Sequence, residues 1–234
     1  MFSQASLYTF AYAVIAGVMP ALLWLFFFTR EDSAHATHKR YIFGCFIGGA
    51  IAVVTAIVVE KIIADSVVDP TMRYTLWATF EEVIKFLVAA SIIFYTSAHE
   101  DPVDAMVYCA SVALGFAAIE NTLFILGPLS SGSISQAIIT TNMRFIGATL
   151  VHVVSSSLVG FMIGYFFYFR RWVKMLAAMV GLVGAVALHA TFNLSIINAT
   201  STDTLKTFGW IWGAVVVLII LFEEVKAVHP RALV

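Results

Sequence analysis

The chain has 234 residues and a formal net charge of −1; 61% of its residues are hydrophobic and 12% charged, which excludes an ordinary soluble domain because so few polar groups cannot cover its surface. Its 20 phenylalanines point the same way, and an integral membrane protein is expected. The near-zero net charge says nothing about nucleic acid, and no nucleic-acid partner is expected of such a membrane chain.

Apolar runs of the roughly 20 residues that a bilayer core demands of a helix follow one another at approximately 5–28, 41–59, 74–96, 105–126, 145–169, 174–197 and 208–222. The first run has no basic leader and is too long for a signal segment, so a retained helix is expected there. Seven spans result, the last being the shortest. The links between them are polar and turn-rich: Arg30-Glu31-Asp32, Glu60-Lys61, Asp69-Pro70, His99 to Pro102, Ser130 to Ser135, Arg170-Arg171 and Asn198 to Asp203. The expected fold class is all-α, a polytopic membrane bundle of about seven transmembrane helices. It is taken as one domain over 1–234, with a motif-bearing core at about 74–197.

Basic residues favour one orientation. With the N-terminus outside, the inner segments hold Arg30, Lys39, Arg40, Arg170, Arg171, Lys174, Lys226 and Arg231, and the outer ones only Lys61, Arg73, Arg144 and Lys206. The C-terminus is then inside. Cys45 and Cys109 fall in different spans with no paired spacing, and are expected to be buried structural thiols. Gly44 with Gly48, and Gly160 with Gly164, each share a helix face and suggest close helix packing.

Against this background six ionisable side chains lie inside apolar runs: Glu81, Glu82, Lys85, Glu120, His152 and His189. The other charged and histidine residues are placed in or beside links. A charge at the centre of a membrane helix costs about 2.5 to 3.5 kcal/mol on insertion scales, so each such group is a functional-site hypothesis. At 1.5 Å of rise per residue, Glu81, Glu120, His152 and His189 all come about 10 Å from the same side of the bundle. Lys85 is three residues from Glu82 and four from Glu81, so it can neutralise either, leaving the other free as base or ligand. Neutral imidazoles with a carboxylate are a donor set that zinc takes, and a zinc-bound water with a nearby Glu can attack a peptide carbonyl. A polar cleft between the helices is needed to admit water and peptide.

Four ordered motifs carry a resemblance. They are Glu81-Glu82-Val83-Ile84-Lys85, Phe116 to Glu120-Asn121, His152 with Arg144 upstream and Ser156 downstream, and His189 with Asn193 four residues on. In this order they resemble the PrsW family of intramembrane proteases, itself distantly similar to the CAAX prenyl proteases. The resemblance implies a polytopic peptidase of a bacterial or archaeal cytoplasmic membrane, classed with metallopeptidases. It implies membrane-anchored protein substrates cut near the outer leaflet, including first-step cleavage of an anti-sigma factor. On this reading Glu81 or Glu82 activates water, Lys85 sets the charge of the acidic pair, and Asn121 and Asn193 orient ligands or steady the oxyanion. Glu120, His152 and His189 hold a divalent metal, with Zn2+ expected. A metal-free glutamate protease using the same carboxylates is the first alternative. A proton- or metal-coupled transporter is the second.

Overall fold

The computed structural model describes residues 7–31, 38–197 and 201–229. Eight α-helices follow in order: α1 Leu7–Glu31, α2 Lys39–Ser66, α3 Pro70–Ile93, α4 Asp104–Ser130, α5 Ile134–Met143, α6 Thr149–Tyr165, α7 Arg171–Ile197 and α8 Ser201–Lys226. A π-helical turn, Arg144–Ala148, joins α5 to α6 without a break. Among the described residues six helical segments are long and apolar enough to cross a membrane, the joined α5–α6 segment counting as one. The α3 helix is not in that set, because Glu81, Glu82 and Lys85 interrupt its apolar run. With α3 packed among the six, the molecule is a polytopic all-α bundle.

The helices outrun several of the expected spans. Asp69 caps α3 by accepting the Met72 amide at 2.7 Å, and Pro70 sits in the first turn, where a missing N–H costs nothing. The helix therefore starts four residues early. Arg73 braces the preceding link through Nε and Nη2 to the Val67 carbonyl, at 3.0 and 2.9 Å. With the link so short, α2 runs on to Ser66, and Glu60-Lys61 is helix interior rather than a boundary. The Ser130 to Ser135 link shrinks to three residues, and α8, expected to be the shortest span, has 26 residues. Residues 1–6, 32–37, 198–200 and Arg231, which bear on the retained helix, two links and the inner tail, lie outside the described residues.

The core is organised around α4, which is buried over most of its length and packs against α1, α2 and α6. Gly49 and Gly115 allow the α2–α4 crossing. A methyl at Gly115 would strike the Phe46 carbonyl, and one at Gly49 the Val112 carbonyl. Gly160 and Gly164 likewise pack against the backbone of Ala105 and Pro102, whereas Gly44 faces open space. Cys45 and Cys109 are buried and unbridged. Where α3 leads into α4, the Tyr108 hydroxyl donates to the Ala98 carbonyl at 2.9 Å and the Asp104 carboxylate accepts the Glu100 and Asp101 amides at 2.8 Å each.

Candidate active site

Helices α3, α4, α6 and α7 bring all six singled-out ionisable residues together. Glu81, Glu82, Lys85, His152 and His189 are each at most 5% exposed, so none is hydrated in the ordinary way. Since α3 and α4 are longer than expected, Glu81 and Glu120 lie about 15 Å of helix from the nearest end rather than about 10 Å.

Glu82 is saturated. Its Oε1 accepts from Lys85 Nζ at 2.6 Å and faces His189 Nδ1 at 2.7 Å, and its Oε2 accepts from the Ser156 hydroxyl at 3.0 Å. Lys85 Nζ also reaches His152 Nδ1 at 3.0 Å and lies over the Phe116 ring. The other face of His152 is held from α4, with Nε2 at 2.7 Å from Glu120 Oε2. Glu120 is fixed in turn by Arg144 Nη2 at 2.7 Å, and Arg144 Nε donates to the Asn121 side-chain oxygen. Asn121 Nδ2 closes the chain on the Thr149 hydroxyl at 2.9 Å.

Each imidazole thus has one nitrogen on a carboxylate, His189 on Glu82 and His152 on Glu120. A hydrogen bond of this kind fixes tautomer and ring orientation. The remaining nitrogens, His152 Nδ1 and His189 Nε2, both lie 3.8 Å from Glu81 Oε2, and the rings meet edge to face at 4.8 Å. Glu81 Oε2 is buried and accepts no hydrogen bond among the described residues. Ligand atoms of Glu81, His152 and His189 fall within 4.8 Å of one another. Two imidazole nitrogens and an orphaned carboxylate oxygen at this spacing are a fitting donor set for a divalent ion. The third member of this group is Glu81 and not Glu120, whose nearer oxygen is already engaged by His152 and Arg144.

The cluster opens into a cavity of about 1010 Å³ whose wall includes Glu60, Glu81, Glu120, His152, His189 and Asn193. The wall is mostly apolar and aromatic, not the polar cleft expected. It reaches Tyr74 near the start of α3, Ser130 at the end of α4, Ile197 at the end of α7 and Thr204 near the start of α8, so it runs from one end of the bundle inward. Asn193 stands in that wall, one turn beyond His189. Asn121 is buried behind Arg144, whose Nε it accepts from, and is not part of the cavity wall.

Two contributors escape a reading of the sequence alone. Arg144 is visible in the motif, but that it opens a π-turn and reaches Glu120 on α4 is not. Glu60 resembles half of a polar boundary, and only the cap at Asp69-Pro70, which lets α2 run on, hints that it lies inside a helix.

A bundle of apolar helices around a buried carboxylate and imidazole centre defines a polytopic integral membrane protein with an intramembrane polar site. The chain belongs to the PrsW family: residues 37–223 match the family described as PrsW family intramembrane metalloprotease. Protease PrsW of Geobacillus kaustophilus (strain HTA426) is 27% identical over 154 residues, covering 64% of this chain and 65% of the relative. Protease PrsW of Shouchella clausii (strain KSM-K16) is 24% identical over 183 residues, covering 77% and 81%. The chain therefore spans just under two thirds of the Geobacillus relative's length. No solved structure matches it.

Proposed function

We propose that this protein is an intramembrane peptidase that hydrolyses peptide bonds in membrane-anchored proteins near the outer leaflet, its N-terminus outside. The observation that carries the reading is the orphaned Glu81 oxygen, 3.8 Å from one nitrogen of each of two imidazoles that carboxylates hold in place. In this reading Glu81, His152 and His189 hold a divalent ion, zinc by the chemistry of the donors. Such an ion, when bound, supplies a Lewis acid and a water that ionises near neutral pH.

The remaining roles belong to the chain's own groups. Glu82 and Glu120 hold His189 and His152 with one nitrogen of each turned toward Glu81. Lys85 offsets the charge of Glu82 and keeps that carboxylate out of the chemistry. Asn193 offers an amide to the developing oxyanion from the cavity wall. Unwound apolar peptide suits the aromatic wall, and an anti-sigma factor in its first cleavage step is one substrate of this kind.

One contact favours a metal-free reading: Lys85 Nζ already occupies the lone pair of His152 Nδ1 at 3.0 Å. There Glu81 Oε2 takes a proton from water, the hydroxide oxygen adds to the peptide carbonyl carbon, and the proton passes to the amide nitrogen as the C–N bond breaks. Metal content per chain, in detergent without chelator, beside the His152→Ala/His189→Ala double variant, separates the readings. One zinc in the wild type and none in the variant, with chelator-sensitive cleavage of a membrane-anchored reporter, is the expected result. Chelator-insensitive cleavage favours Glu81 alone, and no cleavage of any reporter returns the site to proton or metal transport.

A further inference from the structure

Arg144 meets α4 along one edge of its guanidinium, with Nε on the Asn121 side-chain oxygen and Nη2 on Glu120 Oε2. Two bonds along one edge of a planar group set its register, yet they leave it free to tilt about that edge. The tilt is limited from the face. The guanidinium carbon lies 4.1 Å from the centre of the Phe124 ring, the shortest cation–ring distance among the described residues. Phe124 follows Glu120 by four residues and Asn121 by three, so one side of α4 offers a carboxylate, an amide oxygen and an aromatic face to the same arginine. A planar guanidinium stacks on such a face as an ammonium cannot. The contact gains strength out of water, and the Arg144 side chain is only 13% exposed. Core packing does not account for the ring: Phe124 is 54% exposed and stands in the cavity wall, where burial adds little to the fold.

We propose that Phe124 is a positioning residue: its ring closes one face of the Arg144 guanidinium and thereby keeps Arg144 on Glu120 and Glu120 on His152 Nε2. The contacts run in one unbroken series, ring to guanidinium at 4.1 Å, guanidinium to carboxylate at 2.7 Å and carboxylate to imidazole at 2.7 Å. The proposal rests on the reading of His152 as a member of the working centre. It extends that centre by a residue outside the four motifs. Since the ring also lines the cavity, a peptide lying there meets the side chain that braces Arg144.

Two readouts on the full-length, detergent-solubilised chain test it: zinc affinity, by competition with a chromophoric chelator, and cleavage of a membrane-anchored reporter. Wild type is compared with Phe124→Leu, Phe124→Tyr, Arg144→Ala and the Phe124→Leu/Arg144→Ala double variant. Phe124→Leu keeps an apolar side chain without the ring and is expected to lose about 5- to 30-fold in both readouts, the scale of a cation–ring contact out of water. Phe124→Tyr keeps the ring and should stay within about twofold of wild type. Once Arg144 is alanine the ring has nothing to brace, so Phe124→Leu should then cost less than about twofold more. Wild-type values for Phe124→Leu overturn the proposal while leaving the reading of the centre intact. So does a Phe124→Tyr as weak as Phe124→Leu, or an undiminished loss in the Arg144→Ala background, because the ring would then act without the guanidinium. A wild type that binds zinc, with Phe124→Leu impaired in cleavage alone, also overturns it, the ring then touching the peptide and not the centre. A wild type that cleaves without zinc removes the metal reading, and the same comparisons of cleavage decide the role of Phe124. A wild type that does neither overturns the reading of the centre and this role with it. A monodisperse folded peak is checked for each variant.

Discussion

Glu82 accepts from Lys85 and Ser156 and faces His189, whereas Oε2 of its neighbour Glu81 accepts nothing among the described residues. The two glutamine substitutions should therefore diverge. Glu81→Gln is expected to fold with wild-type thermal stability and to lose cleavage of a membrane-anchored reporter by at least about 100-fold, whether the carboxylate holds the ion or, in the metal-free reading, takes the proton from water. Glu82→Gln strands the Lys85 ammonium in a buried site, and breaking a buried pair costs about 3 to 5 kcal/mol. It should lower the unfolding temperature in detergent as well as activity; equal unfolding temperatures for the two variants would contradict the division of labour. That both glutamates would join a buried polar cluster was legible in the sequence, since two acids in an apolar run have no ordinary structural use. Which of them faces the cavity was not, because it depends on Ser156 and His189, contributed by α6 and α7 from far along the chain.

At the scale of elements, the π-turn before α6 carries the arginine that holds Glu120 and Asn121. A π-turn places an extra residue in one helical turn, and such turns recur at functional sites. Arg144 at its start meets both Glu120 and Asn121, through different nitrogens of one planar group. Arg144→Lys restores the charge but not the fork, so both Arg144→Lys and Arg144→Ala should cut activity about 10- to 100-fold; full rescue by Lys would show that charge alone suffices. The link between α3 and α4 makes a separate prediction. His99 stacks edge-on against Phe167, and burial, followed by the nearby Lys174 charge, holds its imidazole down to about 4 from the ordinary 6.5. The unfolded chain then binds the proton more readily than the folded one, so this contribution is intact above pH 6.5 and is lost as pH falls toward about 4. In His99→Phe the unfolding temperature should fall less between pH 7 and pH 4 than in wild type. Apolar runs located the long helices, but not where they end, because caps such as Asp69-Pro70 override the edges of such a run. For the same reason Glu60-Lys61 looks like a boundary in the sequence and is helix interior in the structure.

For the whole molecule, α4 acts as the central post and Gly115 sets how closely α2 can lie on it. Gly115→Ala forces the Phe46 backbone away, an overpacking that costs about 1 to 3 kcal/mol. It should lower thermal stability without removing any polar contact of the site; unchanged stability would show that the crossing yields easily. The expected orientation is checked by single-cysteine labelling in intact cells. A probe at Gly132, in the α4–α5 turn, should react from outside, and one at Tyr168, in the α6–α7 turn, only after permeabilisation. The packing of α3 has a consequence for how the protein is made. With three charges in mid-helix, each costing about 2.5 to 3.5 kcal/mol in lipid, α3 is a poor candidate to leave the translocation machinery alone. The three-residue link 67–69, the Arg73 brace and the Trp77 bond to Glu60 join it to the apolar α2. The two are suited to enter the bilayer as a pre-paired hairpin, so the helix that brings the acids is chaperoned into place by its neighbour within the same chain.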